Sequence, residues 1–87
     1  MTVKVRFFAV LRERTGVSST VLTFEGSPSV HEAWQLLQQQ YPVLGPFSEC
    51  VTFAVNREYV NQHHRLHDGD ELALIPPVSG GCDREVQ

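Results

Sequence analysis

Residues Thr2 to Val10 alternate, with Val3, Val5, Phe7 and Ala9 on one parity and Lys4, Arg6, Phe8 and Val10 on the other. A period of two predicts a strand buried on one face. Arg12-Glu13-Arg14-Thr15-Gly16 is polar and closes on glycine, which predicts a turn into a second strand over roughly Ser19 to Glu25. Two neighbouring strands joined by a short turn predict a hairpin. Ser27-Pro28-Ser29 then interrupts the pattern, and Ser29 with Glu32 three residues later has the form of a capping box. Behind it Val30, Ala33, Trp34, Leu37 and Tyr41 recur at helical spacing until Pro42 stops the run, predicting one amphipathic helix laid across a sheet. The stretch from Val43 to Glu49, with Gly45 and Pro46, is a connection of unassigned form.

The period returns to two at Val51, Phe53 and Val55, a third strand ending near Asn56, and Tyr59-Val60 offers a short edge pairing. Asp68-Gly69-Asp70 is a turn signature. Glu71 to Val78 is the last strand, with Leu72 and Leu74 inward and Ala73 and Ile75 outward. The expected fold class is α+β, a mixed sheet with one main helix packed across it, in a single domain without internal repeats.

Composition narrows the function classes. Seven Lys and Arg against ten Asp and Glu, a net charge of −3, disfavour a nucleic-acid partner and suit a basic protein partner. No apolar leader and no bilayer-length run are present, so a cytoplasmic protein without a membrane partner is expected. Two cysteines, Cys50 and Cys82, are too few for a disulfide framework or a four-thiolate iron–sulfur site. His63, His64 and His67 beside Asp68 and Asp70 are metal-ligand types, but the adjacent pair points apart in extended chain and the segment reads as a solvated loop, so no metal site is assigned. Cys50 reads as a small, partly buried hydrophobe and Trp34 as helix core. No catalytic side chain is assigned.

The chemistry-bearing segment is Ile75-Pro76-Pro77-Val78-Ser79-Gly80-Gly81. Two prolines keep the backbone extended and remove donors, and two glycines leave bare backbone around which a narrow channel can close. Such a tail suits insertion into another protein's active site, with a main-chain carboxyl as the reactive group. The same residues are also ordinary loop punctuation. Phe8 and Ile75 lie on the parity opposite to the core of their strands, and an outward Phe and an outward Ile are costly to leave in water. They form either a partner-docking patch or part of a core packed on both faces, and the docking patch is the favoured reading.

Phe7-Phe8-Ala9 with Leu11-Arg12-Glu13, Ala54-Val55-Asn56, Leu66-His67-Asp68-Gly69-Asp70-Glu71 and Pro76-Pro77-Val78-Ser79-Gly80-Gly81 resemble, in order and spacing, the small subunit of molybdopterin synthase, the MoaD family. The resemblance runs from Thr2 to Gly81 and implies a ubiquitin-like β-grasp sulfur-carrier domain over residues 1–81. It also implies that the Gly81 carboxyl is adenylated by an ATP-dependent activating enzyme, converted to a thiocarboxylate, and donates sulfur to a pyranopterin monophosphate in the large subunit. The carrier itself would bind no cofactor, ATP being used by the activating partner. Residues Cys82 to Gln87 depart from the family pattern, because a peptide bond after Gly81 blocks adenylation. Either a protease removes 82–87, or they lead into a fused large subunit, or the copy is inactive; an acyl shift onto Cys82 lacks an evident assisting base. Carriers for thiamine, cysteine or tRNA thiolation, and a non-carrier ubiquitin-like module with an inactive tail, are the alternatives. Lys4, the sole lysine, disfavours polymeric chains linked through internal lysines.

Overall fold

The structure is a computed structural model that describes residues 1–48 and 50–76. Five strands form one mixed sheet in the order β2-β1-β5-β3-β4, with β1 Thr2–Phe7, β2 Ser19–Thr23, β3 Thr52–Val55, β4 Glu58–Val60 and β5 Glu71–Ile75. The central pair, β1 and β5, is parallel, and every other pairing is antiparallel. This is the α+β arrangement that the periodicity predicts, with the antiparallel β1–β2 pairing and the β4 edge pairing in place.

Helix α2, Val30–Gln40, crosses one face of the sheet. Its capping box is complete: Glu32 N donates to Ser29 Oγ, and Ser29 N donates to Glu32 Oε1. Val30, Ala33, Trp34 and Leu37 are buried against Val3, Val5, Phe7, Leu22, Phe53, Val55, Leu72 and Leu74 from the inner face of the sheet. Trp34 packs edge-on against Phe53, with ring centroids 5.8 Å apart, and its Nε1 donates to Ser48 Oγ at 3.3 Å. Cys50 is half-buried beside this core.

Two sequence expectations require correction. The polar stretch after β1 is not a simple turn: Ala9–Thr15 forms a short helix, α1, with Leu11 buried beneath it. β1 ends at Phe7 because Ala9 takes a positive φ of 50°, which breaks the extended run and leaves Ala9 exposed rather than on the core face. Gly16 does terminate this segment, but as a left-handed helix cap at φ 81°, where its N–H reaches Arg12 O; Arg12 and Arg14 in the last turn complement the helix dipole. The connection after α2 is a 3₁₀ helix, Pro42–Phe47, which buries Leu44 and Phe47. The last strand ends at Ile75, and its expected continuation to Val78 lies outside the described residues.

The Asp68-Gly69-Asp70 turn ties the sheet together. Gly69 has φ 85° and donates to Thr2 O, and Thr2 N donates to Asp68 Oδ1 at 2.7 Å. Asp70 accepts from His67 N and, through Oδ1, from Asn56 Nδ2 at 3.0 Å, while Asn56 Oδ1 accepts from Glu71 N. Two motifs distant in sequence are thereby one hydrogen-bonded unit at the end of β3 and the start of β5.

Candidate functional site: the outer sheet face

Pleating sends alternate residues of the same strands to the other face, where among the described residues no helix packs. The register aligns Tyr59, Ala54, Ala73 and Arg6 across β4, β3, β5 and β1. Two alanines in the middle of this row leave a low floor between larger side chains. The result is a shallow groove of about 210 Å³, bounded by Phe8, Tyr59, Ile75, Arg6 and Arg57. Ala54 is only 5% exposed yet stands outside the core cluster, because these neighbours cover it.

The structure therefore brings Phe8 and Ile75 to one site. Phe8 follows β1 as the N-cap residue of α1 and is 38% exposed, so part of the roughly 1.5–3 kcal/mol gained by burying a phenylalanine is still available to a covering partner. The Arg6 guanidinium lies 5.4 Å from the Phe8 ring centroid and bonds Glu71 Oε2 at 3.2 Å. With side chains 48% and 34% exposed, this ion pair adds little stability, and its consequence is to hold Arg6 over the ring. Ile75 lies opposite Thr52 at the end of β5, half-buried. Pro76, buried, is the only tail residue described; Pro77, Val78, Ser79, Gly80, Gly81 and the segment 82–87 lie outside the described residues.

Tyr59, 75% exposed, is a residue of this face that periodicity overlooked. A three-residue edge strand is too short to show alternation, and only its pairing with Ala54 fixes which way Tyr59 points.

The histidine loop offers a different surface. His63, with Ser29, His31, Glu32 and Arg65, lines an open hollow at the start of α2. The first helical amides are already satisfied there: Val30 N donates to His64 O, His31 N to Gln62 O, Glu32 N to Ser29 Oγ and Ala33 N to Ser29 O. The start of this helix therefore offers no free backbone donor to hold an anion. Asp68 and Asp70 accept bonds from the backbone and from Asn56, and among the described residues no group of three or more His, Cys, Asp or Glu could hold a metal ion. Among those residues, too, no helix is long and apolar enough to cross a membrane.

The ThiS family matches residues 5–81. A molybdopterin synthase sulfur carrier subunit from Chlamydomonas reinhardtii is 41% identical over 85 residues, covering 93% of this chain and all of the relative. Among solved structures, small archaeal modifier protein 1 of Haloferax volcanii superposes with a TM-score of 0.78 at 26% identity, over 88% of this chain and 98% of that one. A complex of subunits 1 and 2 of the molybdopterin-converting factor from Helicobacter pylori contains a chain with a TM-score of 0.66 at 26% identity, over 93% of this chain and all of that one. The fold is the ubiquitin-like β-grasp, and the chain belongs to the ThiS family, in the branch of the molybdopterin synthase sulfur carrier subunits.

Proposed function

We propose that this chain is the sulfur carrier of molybdopterin biosynthesis, working in the cytoplasm as the small subunit of molybdopterin synthase. The observation that carries the reading is a family match over residues 5–81 that ends on Gly81, the second tail glycine. A carboxylate is a poor acyl donor, so an ATP-dependent activating enzyme joins the Gly81 carboxylate to AMP with release of pyrophosphate. A sulfur nucleophile then displaces AMP, leaving a thiocarboxylate whose sulfur passes to a pyranopterin monophosphate held in the large subunit. The catalytic groups belong to the partners. This chain's part is to present a bare, narrow tail, Pro76 to Gly81, from a rigid sheet.

Docking by the outer face converts delivery into an effectively intramolecular step. Ile75, at the groove, is followed directly by Pro76, where the tail begins, so a large subunit seated on Phe8, Tyr59 and Ile75 sits beside the residues that lead into the tail. A free Gly81 carboxylate is required, which calls for removal of 82–87 by a protease or for a form made without them.

The test is intact mass. A form ending at Gly81, incubated with ATP, the activating enzyme and a sulfur donor, gains roughly 16 Da as sulfur replaces oxygen, whereas the chain that retains 82–87 gains nothing, because an amide has no carboxylate oxygen to attack the α-phosphorus. No gain with a demonstrably active enzyme removes the reading. The likeness to a small archaeal modifier favours a second role, transfer of the same activated carbonyl to an amine of another protein. The same assay separates the two, since a modifier would appear as a covalent adduct of higher mass.

A further inference from the structure

Arg57 occupies a backbone conformation that disfavours it. Val55 pairs with Glu58, so Asn56 and Arg57 are the two central residues of the β3–β4 turn, at φ 52° and 73°. A two-residue turn of this kind needs positive φ at both positions and prefers Asn followed by Gly. Asn56 meets that preference and is pinned by its bonds with Asp70 and Glu71. Arg57 stands where glycine would sit without strain. Strain of this kind gathers at functional sites, and the chain accepts it at the rim of the outer groove.

The charges there are unequally used. Arg6 is committed to Glu71 and to the Phe8 ring, whereas among the described residues Arg57 makes no ion pair and no side-chain hydrogen bond. Two arginines against Glu71 make the groove locally cationic in a chain of net charge −3. We propose that Arg57 is a specificity-determining residue whose guanidinium takes a carboxylate of the large subunit, beside the apolar contact made by Phe8, Tyr59 and Ile75. The inference rests on the docking reading above and adds the partner's chemistry: an apolar anchor flanked by an acidic side chain. A guanidinium fork meets a carboxylate with two parallel bonds, and an exposed rim charge acts mainly on association and salt dependence.

The test uses the domain with Arg57→Gly, Arg57→Lys and Arg57→Glu, titrated against the molybdopterin synthase large subunit of the same organism at low and high salt. Arg57→Gly is expected to melt no lower than the native protein, because the turn strain is relieved, yet to bind roughly fivefold more weakly at low salt and with a flatter salt dependence. Arg57→Lys keeps the charge and most of the affinity, and Arg57→Glu binds more weakly than Arg57→Gly. Ile75→Lys, measured alongside, reports on the docking reading itself. If Arg57→Gly binds like the native protein while Ile75→Lys does not, the carboxylate pairing is overturned and the docking face stands; if both bind normally, the docking face falls as well. An effect of Arg57→Gly confined to the activating enzyme also overturns the assignment.

Discussion

The two faces of the sheet are built from the same strands and answer to different demands. On the inner face Val3, Val5, Leu72 and Leu74 are fully buried under α2, with large side chains in consecutive rows. On the outer face the matching rows hold alanines at 54 and 73, ringed by Phe8, Tyr59, Ile75 and two arginines. Large residues facing a helix fill space, whereas small residues between large exposed ones leave room for something else to fill. One step along β5, from Leu74 to Ile75, crosses from the residues that hold the domain together to those available to a partner.

That contrast is easiest to break from the inside. Leu74→Ala should lower unfolding free energy by about 2–5 kcal/mol in chemical denaturation, through lost burial and an unfilled cavity. Phe8→Lys or Ile75→Lys should leave the melting temperature nearly unchanged but weaken large-subunit binding by about 2 kcal/mol or more, since each places a charge in a patch that binding desolvates. Unfolding of either variant with normal affinity in the folded fraction would return those side chains to the core. Tyr59→Ala should cost about 1–2 kcal/mol of binding in calorimetry and almost nothing in stability, given its exposure. The smallest effect is expected at Asp70→Ala, which removes the acceptor shared by His67 N and Asn56 Nδ2 and should reduce stability by about 1 kcal/mol.

Most of this contrast was legible in sequence, because strand parity alone separates Leu72 and Leu74 from Ala73 and Ile75, and Lys4 and Arg6 from Val3 and Val5. The capping box at Ser29 and Glu32 located α2 from four residues of sequence. What escaped depended on backbone angles and register. The positive φ at Ala9 ends β1 at Phe7, three residues before the alternation that runs to Val10, so Ala9 and Val10 resembled strand although both belong to a helix. Tyr59 lies in a strand too short to show a period, and Arg57 owes its prominence to a turn conformation that residue type argues against. The tail chemistry rests on Gly81 and on the family match rather than on geometry, since residues 77–87 lie outside the described structure.

Sulfur is expected to leave this chain only on a partner that holds the acceptor. The direct measurement is the intact mass of a carrier ending at Gly81, loaded as the thiocarboxylate and mixed with the large subunit with and without the pyranopterin monophosphate. A loss of roughly 16 Da, as sulfur moves to the acceptor and water returns oxygen to the carboxyl, is expected only when both are present. A carrier that keeps its sulfur in the presence of an active large subunit and its substrate would show that this chain is not the sulfur donor.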